Sequence, residues 1–323
     1  MTNDKLPSVY DLIIIGSGIA GLSAAHYAKA AGKSVLMLDK GRRIGGRCST
    51  KRADGVTFNH GAQFFTCKDP DFRALTDQAQ TDGAVQIWDF GHHATSFGGA
   101  PTMRDFPAFL QRLNALEVRQ SVKVTTIEKT ANASAAYQLH DEDGATYHCQ
   151  TLIVTAPAPQ AAALVKAVDA SLSETAASAS YDPCWTVMLA LNEALDDTSP
   201  PLRDAGLIGW ANYEPSRDNT AYQPALTIQA TPQASTDMLS WQADEVIEAM
   251  RQAYETESGL HLSIGASLAH RWLYARVARP ADKDRPFIST DKSLALAGDY
   301  FGNARIESAF LSGKRAAHAL FDA

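Results

Sequence analysis

The most constraining feature of this sequence is a stretch in which a glycine-rich turn and an alanine-rich segment separate two short apolar runs. Leu12–Ile15 and Val35–Leu38 are the two runs, and each has the length and composition of a buried strand. The alanine-rich segment between them has the pattern of a helix that Gly32 ends. Three glycines follow the first run at once, in the G-x-G-x-x-G spacing: Gly16, Gly18 and Gly21. The stretch therefore predicts a strand–helix–strand unit.

The glycine spacing has a mechanism that indicates a dinucleotide. Gly16 permits the tight turn out of the strand, Gly18 lets the backbone approach a pyrophosphate, and Gly21 lets the helix pack closely against the strand. The helix start, which contains Ile19 and Ala20, offers unpaired N–H groups and a partial positive charge to phosphates. An ordinary glycine turn is the alternative, but the strand, the helix and the second strand are all present in the required order.

An acidic residue supports the same prediction. Asp39 ends the second apolar run, close to the position, about 20 residues after the glycines, where a carboxylate binds ribose hydroxyls. Its charge also argues against a bound 2′-phosphate, because two negative groups repel. Lys40, Arg42 and Arg43 follow directly and leave NADP open.

The segment 41–47, G-R-R-I-G-G-R, distinguishes FAD from NAD. It resembles the R-x-G-G-R extension that follows the first strand–helix–strand unit in the amine-oxidase-like FAD family. In that family the glycines let the backbone pass close to the cofactor, and the arginines meet phosphates or neighbouring carboxylates. The alternative is a basic surface loop. The resemblance implies cofactor contacts at Lys40, Arg42, Gly45, Gly46 and Arg47.

Composition bounds the remaining possibilities. The chain has 323 residues, is 45% hydrophobic and carries a formal net charge of −7, so it can form two domains or one large α/β unit, and nothing favours nucleic acid. Four cysteines form no C-x-x-C pair and no metal-ligand spacing, which indicates reduced thiols. No signal peptide and no apolar run of about 20 residues is evident, so we expect a cytoplasmic protein without membrane partners.

Residues 47–50 (R-C-S-T) and 60–66 (H-G-A-Q-F-F-T) resemble one branch of that family, the renalases. Renalases usually have R-M-S-T and D-H-G-A-Q-Y-F-T, so this chain departs from them at Cys48, Asn59 and Phe64. The resemblance implies flavin contacts at His60, Gly61, Ala62 and Gln63. We expect Gln63, which can donate and accept, beside the flavin ring. His60 is equally well interpreted as a structural histidine.

The middle of the chain, about 166–289, contains four of the five tryptophans and further renalase-like segments. C-W-T-V-M-L at 184–189 and H-R-W-L-Y-A at 270–275 resemble the family closely. A third segment, 226–235, is degraded: Gln229 replaces the family's His, and Ala234 replaces its Trp. Substrate contacts in that segment are therefore expected to differ.

Aromatic side chains in these segments suit a flat ring substrate. A strand through 270–275 would put His270, Trp272 and Tyr274 on one face and Arg271 on the other. Ordinary core packing is the alternative, and it is the stronger interpretation for Tyr274. The expected substrate-pocket residues are Gln63, Trp185, Trp210, His270, Trp272 and Tyr274. We identify no catalytic base, so the expected chemistry is centred on the flavin. No metal site is predicted, because His92 and His93 lack a third ligand at metal spacing.

The last segment resembles the carboxy-terminal FAD motif of the family. G-D-Y at 298–300 and R-I-E-S-A-F-L-S-G at 305–313 stand where the family usually has G-D-W and V-E-G-A-F-x-S-G. There the aspartate binds a ribityl hydroxyl, and the helix start stabilises negative charge on the reduced flavin. Tyr300 and Ser308 depart from the pattern. The contacts implied for FAD in the later parts of the chain are Val124, which would meet the adenine, Ala156, Pro157, Gly298, Asp299, Arg305, Ile306, Glu307 and Ala309.

These features predict an α/β protein, with a Rossmann-type FAD/NAD(P)-binding domain and an inserted α+β substrate domain that contains a mixed or antiparallel sheet. We expect the first domain over 1–66, 118–165 and 290–323, and the second over 67–117 and 166–289.

The resemblance implies an FAD-dependent oxidase with noncovalent FAD. It would oxidise misreduced dihydro-NAD(P) isomers to NAD(P)⁺, pass hydride to flavin N5 and reduce dioxygen to hydrogen peroxide. A flavin-containing amine oxidase or desaturase is the second hypothesis, and its small-molecule partner would be an amine. The third is an FAD-binding redox sensor without turnover.

Overall fold

The computed structural model describes residues 9–131, 134–195, 201–217 and 223–321. The chain forms two compact units, each assembled from separated segments. The first unit comprises Met1–Gly46, Pro107–Ser180 and Val277–Ala323, and the second comprises Arg47–Phe106 and Tyr181–Arg276.

Strands and helices are interspersed along the chain. The strands are β1 (Tyr10–Ile15), β2 (Val35–Asp39), β3 (Lys51–Ala53), β4 (Val56–Phe58), β5 (Val85–Ile87), β6 (Phe97–Gly99), β7 (Glu117–Gln120), β8 (Val124–Lys129), β9 (Tyr137–Asp141), β10 (Thr146–Val154), β11 (Ser180–Leu191), β12 (Leu202–Ala205), β13 (Ile208–Tyr213), β14 (Ala225–Ala230), β15 (Ile264–Arg279) and β16 (Leu294–Leu296). The helices are α1 (Ile19–Ala30), α2 (Pro70–Thr81), α3 (Asp105–Leu113), α4 (Ala158–Val165), α5 (Ala170–Ala177), α6 (Pro232–Asp237), α7 (Ala243–Ser258) and α8 (Ile306–Phe321). Short 3₁₀ turns cover Glu214–Arg217 and Asp299–Phe301.

The first unit is built on a seven-stranded sheet in the order β7-β2-β1-β10-β9-β8, with β16 also paired to β10. Strands β7, β2, β1, β10 and β16 pair in parallel, whereas β8 and β9 are antiparallel to their neighbours. Ile13 is fully buried and pairs with Leu36 and Leu152, which explains why β1 is a continuous apolar run. The parallel centre confirms the predicted α/β class.

The second unit contains a five-stranded sheet in the order β12-β13-β14-β11-β15. The pairs β11/β14, β12/β13 and β13/β14 are antiparallel. One face packs against the helices that follow β14, and Leu189, Ile228, Met250 and Tyr254 belong to that core. On the other face, Met188 and Ala190 of β11 pack against β4. Strand β11 is therefore buried on both faces along its second half, which is why it lacks a simple alternating pattern.

The bounds of the units differ from those of the expected domains. The first unit leaves the chain at Gly46 rather than at residue 66, because β4 packs Val56 and Phe58 against Met188 in the second unit. It also extends to Ser180 rather than 165. In that extension, the Thr175 hydroxyl of α5 donates to the Pro286 carbonyl at 2.9 Å. These contacts join segments that are far apart in the chain, so the local sequence pattern could not predict where each unit begins and ends.

Across the described ranges, no helix combines the length and the apolar character needed to cross a bilayer. In the same residues, no group of three or more His, Cys, Asp or Glu side chains is arranged to hold a metal ion. His92 and His93 follow β5, and their rings lie 4.1 Å apart beside the Phe64–Phe90 pair.

Candidate functional site: a nucleotide-binding edge and a ring-bearing sheet face

The carboxyl ends of four parallel strands meet at one edge of the sheet in the first unit. Ile15 pairs with Leu38 on one side and with Val154 on the other, and Val154 pairs with Leu296. The residues at or just after the ends of these strands therefore come together: Gly16, Asp39, Ala156, Pro157, Gly298 and Asp299. Ligands of open α/β sheets bind at this edge.

The three glycines of the turn have different environments. Gly16 has φ +106°, and a Cβ atom there would lie 2.5 Å from Thr155 Oγ1. At Gly21 a Cβ atom would lie 2.1 Å from the Gly16 carbonyl oxygen, so only glycine lets α1 pack against the turn. At Gly18 a Cβ atom would meet nothing within 4 Å. Gly18 alone of the three borders open space, as expected where a pyrophosphate approaches the backbone.

The segment that follows β2 returns to this turn. Gly45 N donates to the Ser17 carbonyl at 2.9 Å. Gly46 has φ +54°, and a Cβ atom there would lie 3.4 Å from Gly18 Cα. Both predicted Gly positions thus lie against the turn, and a side chain at Gly46 would occupy space beside the helix start at Ile19 and Ala20.

Asp39 is held in place before any ligand binds. Its Oδ2 accepts from Ser17 N at 2.5 Å and from Ser17 Oγ at 2.6 Å, and its Oδ1 accepts from Gly41 N at 2.6 Å. A carboxylate offers about four lone-pair sites, so about one remains for a ribose hydroxyl. Val122 N donates to the Asp39 carbonyl at 2.9 Å, which brings β8 and Val124 towards the same end of β2.

The basic residues near Asp39 have different surroundings. Lys40 Nζ donates to Gln160 Oε1 at 2.9 Å, and Arg42 is exposed. Arg47, expected at a phosphate or carboxylate, belongs to the second unit, where its Nη1 donates to the Ala275 carbonyl at 3.1 Å. Arg47 also donates to the Tyr274 carbonyl. Both carbonyls belong to β15, so this strand holds the Arg47 side chain in the second unit.

The carboxy-terminal motif completes the edge in the first unit. Gly298 N donates to Ser312 Oγ at 3.0 Å, and the Asp299 side chain is buried. Helix α8 packs tightly on α1, because Ser23 Oγ donates to the Phe310 carbonyl at 2.7 Å. The first turn of α8 and the residues flanking it hold the remaining predicted contacts: Arg305, Ile306, Glu307 and Ala309. Open space at Gly18, a pre-oriented carboxylate and the start of α1 fit the adenosine-diphosphate part of FAD.

In the second unit, one face of the sheet carries rings and amides. Trp210 pairs with Gln229 across β13 and β14, so both side chains lie on the same face. Gln229 Nε2 donates to the Gly61 carbonyl at 2.7 Å, and Trp272 Nε1 donates to the His60 carbonyl at 2.9 Å. These contacts bring the segment after β4 over the sheet face.

His60, His270 and Trp272 form a compact group of rings, called the ring group below. His60 stacks on Trp272 with centroids 5.1 Å apart and an interplanar angle of 28°. The edge of His270 meets both, at 5.1 Å from His60 and 4.5 Å from Trp272. Burial, and then repulsion from His270 and Lys51, lowers the pKa of His60 to about 3. The His60 ring is therefore uncharged at neutral pH.

Other predicted substrate residues do not join the ring group. Trp185 lies in the core that faces the helices, where its Nε1 donates to the Met238 carbonyl at 3.0 Å. It alternates with Thr186, which pairs with Gln229, so it points away from the ring-bearing face. Tyr274 instead meets the edge of Tyr181, with centroids 5.7 Å apart. Strand β15 itself follows the predicted alternation, because Arg271 lies over Trp185 on the helix side.

Gln63 is committed to contacts within its own unit. It is buried, and its Nε2 donates to the Asn59 carbonyl at 2.5 Å and to the Gly61 carbonyl at 3.0 Å. Its Oε1 accepts from Arg217 Nη2 at 2.5 Å. Both amide hydrogens are therefore used, and one lone pair of Oε1 remains for a ligand.

Gly61 and Ala62 also have structural roles. A Cβ atom at Gly61 would lie 2.0 Å from the Arg47 carbonyl oxygen, and Ala62 N donates to that oxygen at 2.8 Å. The segment thus packs its backbone on Arg47, which only glycine permits at position 61.

Sequence reasoning missed one pair, Glu214 and Arg217. Glu214 Oε2 accepts from Arg217 Nε at 3.0 Å, and the two side chains are 0% and 3% exposed. In the sequence, a glutamate and an arginine three residues apart in a short polar segment have the same pattern as an exposed ion pair. Only the burial of the two side chains, which the structure reveals, distinguishes this pair from an exposed one.

Residues 86–321 match the sequence profile of flavin containing amine oxidoreductases, and residues 14–79 match that of an NAD(P)-binding Rossmann-like domain. Curated relatives include an inactive all-trans-retinol 13,14-reductase of Danio rerio (30% identical over 110 residues) and a carotenoid 3,4-desaturase of Haloarcula japonica (41% over 59 residues). A putrescine oxidase of Kocuria rosea is 37% identical over 68 residues. The matched segments cover 33%, 18% and 21% of this chain, and only 18%, 12% and 14% of those relatives.

A solved structure resembles the chain over nearly its whole length. It is a protoporphyrinogen oxidase-like protein from Exiguobacterium sp. 255-15, with a TM-score of 0.74 and 15% identity. The likeness covers 96% of this chain and 98% of that one. At this identity it supports the fold alone.

Proposed function

Because the chain belongs to the family of flavin containing amine oxidoreductases, we propose that it is an FAD-dependent oxidase of dihydronicotinamide dinucleotides. The substrates we propose are the misreduced isomers of NAD(P)H, as in renalases. Family membership supports a flavin cofactor, and the renalase-like substrate is the specific part of the proposal.

The charge around the ring group carries this proposal. Burial, and then repulsion from His270, Lys51 and Arg104, lowers the pKa of His60, and burial followed by repulsion from Lys51 lowers the pKa of His270. At neutral pH both rings are thus uncharged. The charged side chains that lower their pKa values are positive: Lys51 acts on both rings, and Arg104 acts on His60. Such surroundings repel a protonated amine and attract the phosphates of a dinucleotide.

The aromatic geometry supports a planar substrate. Trp272 is held by its hydrogen bond to the His60 carbonyl and by the stacked imidazole, so the indole is oriented before a ligand arrives. A nicotinamide ring gains from stacking on a fixed aromatic ring, whereas an aliphatic amine offers no flat face.

The first unit supports noncovalent FAD. Gly18 borders open space, Asp39 retains about one free acceptor site, and the helix starts of α1 and α8 offer N–H groups to phosphates and to a reduced flavin. Bound FAD would accept the hydride that leaves the dihydropyridine as NAD(P)⁺ forms, and dioxygen with a proton would then take the electrons to give hydrogen peroxide. A dihydropyridine is already a good hydride donor, so no strong base is required of the chain.

Anaerobic mixing of the purified yellow protein with a substrate panel tests the proposal. We expect 2- and 6-dihydronicotinamide dinucleotides to bleach the flavin absorbance quickly, 4-dihydro NADH to do so slowly, and monoamines to leave it unchanged. Faster bleaching by a monoamine than by every dihydronicotinamide would favour an amine oxidase. Bleaching without peroxide formation in air would instead indicate a redox sensor without turnover.

Replacement of Trp272 tests the ring group directly. Trp272→Ala should slow flavin reduction by roughly 10-fold or more while FAD stays bound, because hydride transfer needs the donor carbon within about 3–3.5 Å of the acceptor atom. Trp241→Ala is the matched control, since Trp241 is 41% exposed and lies outside the ring group. Equal rates in the two variants would contradict the assignment of Trp272.

A further inference from the structure

The Glu214–Arg217 pair bonds to both ends of one short segment of the chain, Asn59–Gln63. Besides Arg217, Glu214 accepts from Asn59 N at 3.0 Å, from Asn59 Nδ2 at 2.9 Å and from Thr227 Oγ1 at 2.6 Å. A buried ion pair gains little net stability, because removing both charges from water offsets much of their attraction. The presence of this pair is therefore better explained by the segment that it holds in place than by a gain in stability.

Arg217 holds the other end of the same segment. Its Nη1 donates to the Gln63 carbonyl at 2.7 Å, and its Nη2 donates to Gln63 Oε1 at 2.5 Å. The guanidinium also lies 3.9 Å from the ring centroid of Trp88, which fixes its plane. The segment Asn59–Gln63 is therefore clamped at its first residue by the carboxylate and at its last residue by the guanidinium.

The residues between the two clamped ends belong to the ring-bearing face. His60 stacks on Trp272, and its carbonyl accepts from the indole N–H. The Gly61 carbonyl accepts from Gln229 and from Gln63. Both ends of the segment are held, and the carbonyls of His60 and Gly61 are both hydrogen-bonded. These bonds keep the His60 imidazole against the Trp272 indole.

We propose that Glu214 and Arg217 are positioning residues, which fix the segment Asn59–Gln63 so that His60 and Trp272 stay stacked for the substrate ring. The role of the stack in turnover rests on the proposed function, whereas the positioning itself does not. Neither residue needs to contact the substrate.

Four variants separate positioning from simple stability. Arg217→Met removes the guanidinium but strands Glu214. Glu214→Met with Arg217→Met removes both charges and keeps the protein foldable if the single variant fails. Gln63→Leu removes the side-chain acceptor of Arg217, keeps the backbone carbonyl acceptor and leaves the pair intact. Arg251→Met is the matched control, because Arg251 forms an ion pair with Glu255 at 2.5 Å on α7, outside the ring-bearing face.

Histidine NMR reports the segment position without any substrate. In the wild type the His60 ring stays neutral down to about pH 5, since its pKa is lowered to about 3 by burial and by His270, Lys51 and Arg104. If the pair positions His60, the ring becomes solvated in the Arg217 and double variants and titrates near the ordinary value of about 6.5. The signal is assigned by its loss in His60→Gln, and Arg251→Met should titrate like the wild type.

Kinetics supply the second readout. We expect kcat for flavin reduction by 6-dihydro-NAD to fall roughly 10- to 100-fold in the Arg217, double and Gln63 variants with FAD retained. Combining Gln63→Leu with Arg217→Met should give no further loss, because both act through one segment. Folded variants in which His60 still fails to titrate, or in which the two losses multiply, would overturn the proposal. If no dihydronicotinamide reduces the wild type, the proposed function fails, and the NMR result still decides the positioning role.

Discussion

Asn59 shows how one residue depends on a distant one. Renalases usually have Asp at this position. Here Asn59 Nδ2 donates to Glu214 Oε2 at 2.9 Å, and Asn59 Oδ1 accepts from Met103 N at 2.8 Å. Both Asn59 and Glu214 are 0% exposed, so a carboxylate at position 59 would face a second carboxylate away from water. The amide is therefore the compatible partner of Glu214.

Asn59→Asp should destabilise the fold by about 3 kcal/mol or more at pH 7. Burial and the facing carboxylate raise the pKa of the new carboxyl above its unfolded value of about 3.9. The variant should therefore be closest to the wild type below about pH 4 and lose stability as the pH rises from there to the folded pKa. Urea unfolding at a series of pH values measures this. Asn192→Asp, at an exposed site, is the control, and an equal pH dependence in both variants would contradict the explanation.

Single residues differ in how well the sequence predicts them. The roles of Gly16 and Gly21 follow from the short-range turn and helix that surround them, and the structure agrees. Glu214 and Arg217 could not be found, because their partners lie about 150 residues away in the chain and burial alone makes them special. The aromatic character of Trp185 predicts a place at the substrate, but the pleat of β11 turns its side chain to the helix side.

At the scale of elements, α1 and α8 pack closely in the first unit. A Cβ atom at Gly313 would lie 2.0 Å from the Ala20 carbonyl oxygen and 3.0 Å from Ala24 N, so the helix backbones touch there. The apolar repeat of α8 predicted a helix over this segment. It could not predict the partner, since α1 and α8 are separated by most of the chain.

Gly313→Ala should therefore destabilise the protein by about 1–3 kcal/mol, because the added methyl group forces two packed helices apart. Since α1 begins at the nucleotide-binding turn, the variant should also release FAD more readily on dilution. Thermal unfolding and flavin fluorescence measure the two effects. Ala30→Ser adds one atom at an exposed position of α1 and is the control. If Gly313→Ala unfolds at the same temperature as the wild type, α1 and α8 can move apart without loss of stability, and the explanation is wrong.

At the scale of the whole molecule, the chain contains four cysteines, and we expect their thiols to differ in reactivity because they differ in burial. Burial raises the pKa of Cys48 and of Cys149 to about 12 and that of Cys184 to about 11. Thiolates react and thiols do not, so these three should be slow at pH 8. Cys67 is partly exposed and should react first.

A chromogenic disulfide reagent should thus release one fast equivalent from the native protein and four from the denatured protein. Mass spectrometry of the fast product should place the label on Cys67. Two or more fast equivalents would indicate that the native state opens near the buried thiols.

The order in which the edge of the first sheet is assembled has a consequence for biosynthesis. Gly16 and Asp39 leave the ribosome early, but Gly298, Asp299 and α8 follow only after the entire second unit has been made. Until β16 pairs with β10, the flank of β10 is incomplete and α1 lacks the helix that covers it. A nascent chain should therefore bind FAD poorly until residues 294–321 have emerged, and the incomplete sheet is exposed to misassembly until then.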